Sequence, residues 1–264
     1  MSAKIAISGK GGVGKSTVCA VLGQLFAKDG LEVLMIDADP TVSLASALGI
    51  PLAQSPEPLI NMKELIHERT STKADAVGAY FRLNPKVSDL PAKFSRDVNN
   101  LKLFVLGGIS RAGSGCACPE GAFLKAMLTH LILHREEVVL VDLAAGVEFL
   151  GRASIEGIDA LLIVVEPGGR SIETAVNIAR MGAELGIKYI AAIANKLTDP
   201  QQLAAIQSQM PAIPILAAIE YSTAIQQADL QRKDVFATCP TLADPLGRVK
   251  AALKAVVASG GEGK

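Results

Sequence analysis

The stretch Lys10-Gly11-Gly12-Val13-Gly14-Lys15-Ser16-Thr17, directly behind the apolar run Ile5-Ala6-Ile7-Ser8, is the strongest indication of the fold class of this chain. Counted from Gly9, it is a complete GxxxxGK[ST] motif between a strand pattern and a helix pattern. Glycines in such a loop let successive backbone N–H groups curve around a phosphate. Lys15 would neutralise charge on the outer phosphates, and the Ser16 hydroxyl can ligate Mg²⁺. The stretch therefore predicts a nucleoside triphosphate site.

Short apolar runs alternate with helical patterns along the whole chain. Continuous apolar runs are typical of strands that are buried on both faces of a parallel sheet. The helical patterns between them are clearest over 15–28, 119–134 and 171–185. This alternation predicts an α/β fold, a doubly wound, mainly parallel sheet with helices on both faces and ligands at the carboxyl ends of its strands. The predicted strands are Lys4–Ser8, Val33–Asp37, Leu101–Leu106, Val138–Asp142, Leu161–Glu166, Tyr189–Asn195 and Ile213–Ala217.

Length and composition fit one large α/β domain. Half of the 264 residues are apolar, and 26 basic residues balance 26 acidic ones. We expect one ATPase domain over 1–258, with an insertion at about 51–100 that is richer in Pro, Asn, Lys and Ser, and a flexible tail over 259–264. Neutral charge argues against nucleic-acid binding, the apolar runs are too short to span a bilayer, and no signal peptide is evident, so we expect a cytoplasmic protein without a membrane partner.

The lysine at the start of the loop narrows the class. An ordinary phosphate-binding loop needs one lysine, and the KGGxGK[ST] form resembles the deviant Walker A motif of the MinD/ParA/nitrogenase iron protein ATPases. The resemblance implies a P-loop NTPase of the MinD (SIMIBI) type. It also implies that Lys10 reaches across a homodimer interface to the other subunit's nucleotide and acts in hydrolysis together with Lys15.

Carboxylates follow two of the predicted strands. Asp37-Ala38-Asp39-Pro40 ends the second strand, and Asp142 ends the run Val138–Val141. A carboxylate beside a P-loop is placed to hold Mg²⁺ through water or to orient the attacking water. The Asp37–Asp39 pair resembles the DxD of the MinD/ParA class, which implies that Asp39 activates water and that Asp37 lies near the metal with Ser16 and Asp142. The alternative for Asp39-Pro40 is a simple turn after a strand.

Two further positions concern the base of the nucleotide. Asn195, at the end of a predicted strand, resembles the asparagine that reads the adenine edge in this class, and an amide offers both a donor and an acceptor. Glu220 lies where the class often places a base-binding turn that contains proline. Here Ile219 replaces the expected proline. We therefore expect ATP contacts from Asn195 and Glu220.

A CxC motif stands in the middle of the chain, within Gly113–Glu120. Cys116 and Cys118 flank one residue and can bind a single soft metal ion, but two thiolates do not complete a site. Since Zn²⁺ and Ni²⁺ both accept four ligands, the motif suggests a site of four cysteine thiolates for Ni²⁺ or Zn²⁺ that is shared by two chains. Cys19 reads as a buried thiol, and Cys239 has no partner nearby in sequence. The alternative for the CxC is two small buried residues at a helix start.

Four segments together resemble the CooC family of nickel-insertion ATPases that mature carbon monoxide dehydrogenase. They are GSGCACPE over 113–120, DLAAGVEFLGR over 142–152, VVEPGGRSIETA over 164–175 and YFRLNPKVSDLPAKF over 80–94. The resemblance covers most of the chain. It implies dimerisation on binding ATP, a metal held by the paired cysteines at the dimer interface, and delivery of nickel to apo carbon monoxide dehydrogenase.

The sequence is also compatible with other functions. Relatives of the same family serve acetyl-CoA synthase, and other ATPases of this fold assist iron–sulfur enzymes. A MinD/ParA-like positioning ATPase would need a basic DNA surface or an amphipathic membrane helix. The last predicted helix carries Lys250 and Lys254 beside Leu246, Val249 and Leu253, although it lacks aromatic residues.

Overall fold

The computed structural model describes residues 2–71, 82–98, 100–108, 119–133, 137–144, 146–147 and 157–260. Their strands form one sheet in the order β3-β4-β2-β5-β1-β6-β7-β8. Among these residues, β3 is antiparallel to β4, and the other strand pairs are parallel. The strands are β1 Ala3–Ser8, β2 Val33–Ala38, β3 Arg96–Val98, β4 Leu101–Val105, β5 Val138–Leu143, β6 Ala160–Val165, β7 Tyr189–Leu197 and β8 Ile215–Glu220.

Helices connect the strands and cover the sheet. Short 3₁₀ turns lie at Leu52–Gln54, Leu59–Asn61 and Pro240–Leu242. The α-helices of the described residues are α1 Lys15–Lys28, α2 Leu44–Ala47, α3 Lys63–Thr70, α4 Leu90–Phe94, α5 Pro119–Leu133, α6 Gly169–Glu184, α7 Pro200–Gln209, α8 Thr223–Leu230, α9 Val235–Thr238 and α10 Ala243–Gly260.

The predicted fold class is confirmed. Each of the seven predicted strands is present within a few residues of its predicted bounds, and α1 has the predicted bounds. The continuous apolar runs are buried because the sheet is covered on both faces, as β1, β2, β5 and β6 show at every position. The prediction missed β3. Its three residues, Arg-Asp-Val, have no apolar run, and the strand exists only because it pairs at the sheet edge with β4.

The apolar core lies in two layers, one on each face of the sheet. Side chains of β1 alternate between them, so Ile5 and Ile7 belong to one layer and Ala6 to the other. Helices α1 and α10 cover the first layer, where the Cys19 side chain is fully buried, as predicted. Helices α5 and α6 cover the second. Because β1, β2, β5 and β7 run parallel, the loops that follow them lie at the same end of the sheet.

The region predicted as an insertion packs on the second layer. Its buried side chains Leu59, Ile66 and Leu90 join the cluster that contains α5. Arg69 links two of its pieces, because its guanidinium donates to both carboxylate oxygens of Asp89 at 2.9 Å. At the other end of the chain, α10 extends to Gly260, so the first two residues of the predicted tail are helical.

The apolar face of the last helix, α10, is buried in the protein core. Leu246, Val249 and Leu253 are fully buried in the first core layer, against α1. Lys250 and Lys254 both pair with Asp29 at the end of α1, with Lys250 Nζ 2.8 Å from Asp29 Oδ1. The amphipathic pattern of this helix is therefore a packing pattern. None of the helices that the structure describes is long and apolar enough to cross a membrane.

Candidate nucleotide-binding site

The P-loop connects β1 to α1 at the carboxyl edge of the sheet. Gly9, Gly12 and Gly14 have φ of 150°, 82° and 100°, values that residues with a side chain rarely adopt. A Cβ atom on Gly14 would also collide with the Asn195 amide, and one on Gly9 with the Val164 carbonyl. Gly9 and Gly14 are therefore required by both conformation and space, and Gly12 by conformation alone. The helix begins at Lys15, so its free N–H groups point into the loop and favour an anion there.

Lys15 crosses the loop towards the end of β2. Its side chain is 6% exposed, and its Nζ lies 3.5 Å from Asp39 Oδ2 and 3.5 Å from the carbonyl oxygen of Lys10. Asp39 Oδ1 accepts a hydrogen bond from the Thr41 N–H at 2.8 Å. Asp39 thus begins a turn, as the alternative interpretation expected, and also presents its other oxygen to Lys15.

Ser16 joins the P-loop to β5. Its hydroxyl lies 2.5 Å from Asp142 Oδ2, to which it donates, and 2.6 Å from the Ser43 hydroxyl. The second carboxylate oxygen, Asp142 Oδ1, is buried and accepts no hydrogen bond from any residue that the structure describes. Sequence reasoning missed Ser43, whose only signal is its place in the loop after the Asp37–Asp39 pair.

Asp37 and Asp142 are directly paired residues on the neighbouring strands β2 and β5. Both are fully buried. Burial raises the pKa of Asp142 to about 8, with the Asp37 charge as the next cause. Burial likewise raises the pKa of Asp37 to about 6, against hydrogen bonds from the Leu44 and Asp39 N–H groups that lower it. Two such carboxylates suit a site that receives a cation.

Two side chains after the middle of β7 hold the P-loop backbone. Asn195 donates from Nδ2 to the Val13 carbonyl at 2.7 Å. Lys196, which has a left-handed φ of 60°, donates from Nζ to the Gly12 carbonyl at 2.5 Å and lies 3.2 Å from Glu166 Oε2. Lys196 was not predicted. Its signal is its position directly after Asn195, at a strand end beside the P-loop.

A cavity of about 430 Å³ extends from the P-loop to α8. Its volume is within the usual range for small-molecule sites. Beyond the phosphate loop it is bounded by Asn195 and Glu220, the two residues proposed to contact the base, and by Tyr221 and Gln226, which sequence reasoning did not identify. The Tyr221 hydroxyl donates to Gln226 Oε1 at 2.8 Å, so these two side chains form one polar wall.

Lys10 does not line this cavity. Lys10 is 40% exposed, and its Nζ lies 4.0 Å from Glu166 Oε1. Cys116 and Cys118 lie outside the described residues. Within the part of the chain that is described, no three side chains of His, Cys, Asp or Glu gather as a metal site, and Cys19 and Cys239 are buried free thiols whose pKa is raised by burial.

A phosphate loop with two lysines, a buried carboxylate pair and a cavity at the carboxyl edge of a parallel sheet define a P-loop nucleoside triphosphatase. Residues 4–235 match the CobQ/CobB/MinD/ParA nucleotide-binding domain family. The chain is 41% identical over 252 residues to the carbon monoxide dehydrogenase accessory protein CooC of Rhodospirillum rubrum, covering 95% of each. It is 38% identical over 234 residues to an uncharacterized ATP-binding protein of Methanocaldococcus jannaschii, covering 88% of this chain and 90% of that protein.

Solved structures show the same fold. The septum site-determining protein MinD of Pyrococcus horikoshii, complexed with Mg-ADP, has a TM-score of 0.67 at 20% identity and 95% coverage of both chains. The ATP complex of Cyanothece McdA(D38A) has a TM-score of 0.65 at 22% identity, covering 96% of each. The chain belongs to the CobQ/CobB/MinD/ParA nucleotide-binding family and, within it, to the CooC-type ATPases, as the sequence predicted.

Proposed function

We propose that this ATPase works as a homodimer and assists nickel insertion into apo carbon monoxide dehydrogenase. The full-length similarity to the accessory protein CooC carries the proposal, since it covers 95% of both chains. The P-loop, the paired carboxylates and the CxC would then be parts of one delivery cycle.

The residues of the site fit Mg²⁺ as a cofactor. The observation is the buried Asp142 Oδ1, which lacks a partner among the described residues, next to the Ser16 hydroxyl. Ser16 would hold the ion, and Asp142 and Asp37 would support it. When bound, Mg²⁺ neutralises charge on the β- and γ-phosphates.

The chain's own residues account for binding and hydrolysis. Backbone N–H groups of Gly12, Gly14 and Lys15 would hold the phosphates at the start of α1. The Lys15 ammonium would leave its ion pair with Asp39 and bind the nucleotide phosphates instead. Asp39, released from that pair, would orient the attacking water and accept its proton. Asn195 and Glu220 would contact the adenine.

Dimerisation would depend on Lys10. Its ammonium group is part of the P-loop, yet it is exposed and does not line the cavity of its own subunit. A lysine in this position would reach the γ-phosphate of the ATP bound to a facing subunit. ADP lacks this phosphate. The ATP-bound dimer is therefore the active form in this proposal.

The cargo would be held by Cys116 and Cys118 of both copies. Four thiolates around a two-fold axis complete a site for one Ni²⁺ or Zn²⁺ ion without a further residue. Because ATP and metal both favour the dimer, each would tighten the binding of the other, and hydrolysis would loosen the metal for transfer.

The test is a Ni²⁺ and a Zn²⁺ titration of wild-type protein and single cysteine variants, followed by analytical ultracentrifugation. We expect one ion per two chains and metal-driven dimerisation in wild type, with both lost in Cys116→Ser and Cys118→Ser. Cys239→Ser is the matched control, because its thiol is buried in the core and should not contribute. One ion per chain, or binding that survives both CxC variants, would contradict the shared site.

A further inference from the structure

Glu166, directly after β6, connects Lys10 of the P-loop with Lys196 of β7. Its Oε1 lies 4.0 Å from Lys10 Nζ, and its Oε2 lies 3.2 Å from Lys196 Nζ. Lys196 in turn donates to the Gly12 carbonyl at 2.5 Å. The three side chains thus form a chain of contacts that starts at Lys10 and returns to the same loop two residues later.

The two ends of this chain are held differently. The Glu166 N–H donates to the Ser171 hydroxyl at 3.1 Å, and the Glu166 side chain is 27% exposed. Lys196 has two acceptors. The two lysine side chains are similarly exposed, at 40% and 39%, but among the described residues the Lys10 ammonium has a single charged partner, at a distance too long for a hydrogen bond. Glu166 and Lys196 are therefore the fixed part, and Lys10 is the part that can leave.

We propose that Glu166 keeps Lys10 in its own subunit in the monomer, so that forming the ATP-bound dimer requires this ion pair to break. The inference rests on the proposed crossing of Lys10 to the partner's nucleotide. A triphosphate carries more charge than one carboxylate and outcompetes Glu166 for the lysine. ADP lacks the γ-phosphate that Lys10 would reach, so Lys10 pairs with Glu166 again after hydrolysis. Glu166 is then a positioning residue that opposes dimerisation until ATP is bound.

The size of the effect follows from the exposure of the pair. Exposed ion pairs change an equilibrium by about 1.4- to 5-fold each. A symmetric dimer breaks two of them, so removing both should tighten the dimer by about 2- to 30-fold.

The experiment is a double-mutant cycle on Glu166 and Lys10, read as the dimer dissociation constant with Mg²⁺ and a non-hydrolysable ATP analogue. Glu166→Gln keeps the shape of the side chain and an oxygen that can accept from Lys196. Glu173→Gln, at an exposed position on α6, makes the same charge change away from the P-loop. Sedimentation velocity over a concentration series gives the constant for each variant.

We expect Glu166→Gln to dimerise about 2- to 30-fold more tightly than wild type, and Glu173→Gln to match wild type. In a Lys10→Gln background, Glu166→Gln should have no effect. Weaker or unchanged dimerisation of Glu166→Gln, or the same gain without Lys10, overturns the inference. If Lys10→Gln alone dimerises as wild type does, the proposed crossing of Lys10 fails instead.

Discussion

Replacing Asp142 with Asn should stabilise the metal-free protein, and more so as the pH rises. The substitution keeps an oxygen that can accept from the Ser16 hydroxyl and removes one of two buried, directly paired carboxylates. Folding raises the pKa of Asp142 from 3.8 to about 8, so the folded chain holds a proton that the unfolded chain releases above pH 4. The stability that this proton contributes is complete below the unfolded pKa and is lost as the pH rises towards the folded one.

The magnitude follows from the proton count. One proton changes the free energy of unfolding by about 1.4 kcal/mol per pH unit. Between pH 5 and pH 7 the wild type should therefore lose about 3 kcal/mol relative to Asp142→Asn. In a chain of this size, that corresponds to a Tm difference of about 6–12 °C.

The assay is thermal unfolding in EDTA and without nucleotide, at several pH values from 5 to 8. Asp97→Asn is the control, because Asp97 is exposed on β3 and its substitution should leave the pH dependence of wild type unchanged. If wild type and Asp142→Asn lose stability in parallel over this range, Asp142 does not hold an extra proton in the folded chain.

Two further predictions concern the P-loop itself. Lys15→Ala should weaken ATP binding by at least about tenfold, because a charged partner of the phosphates is lost. Asp39→Ala should bind ATP at least as tightly as wild type, because Lys15 is freed, and should hydrolyse it at least about 100-fold more slowly. Equal phosphate release by Asp39→Ala and wild type would show that Asp39 is not the base. Gly14→Ala should lose ATP binding and about 1–2 kcal/mol of stability, because its φ is 100° and the new methyl group would collide with Asn195. Gly11→Ala should keep the stability of wild type, because the space around Gly11 is open. Equal melting temperatures for the two variants would contradict this.

Much of the fold was predictable because its signals are local. Continuous apolar runs and a glycine-rich loop are properties of neighbouring residues, so the seven parallel strands and the start of α1 could be predicted. Strand β3 could not, because its three residues are a strand only through pairing with β4. The pattern of the last helix was ambiguous for a related reason. Only the packing of α10 on α1 shows that its apolar face is used internally.

The candidate site divides in the same way. The residues expected to contact the phosphates lie in one motif, and the carboxylates end strands, so both could be proposed from the sequence. Ser43, Glu166, Lys196 and Tyr221 reach the site from separate connections, and only the folded sheet brings them together. Asp142 was predicted, but its close pairing with Asp37 depends on the order of strands β2 and β5.

The most direct test of the proposed function is activation of nickel-free carbon monoxide dehydrogenase by this chain. The enzyme is incubated with limiting Ni²⁺, Mg-ATP and wild-type protein, Lys15→Ala or Cys116→Ser, and its CO oxidation is followed over time. We expect wild-type protein with ATP to accelerate activation, and ADP or either variant not to do so. Activation that proceeds equally fast without the chain, or with Lys15→Ala, would contradict it.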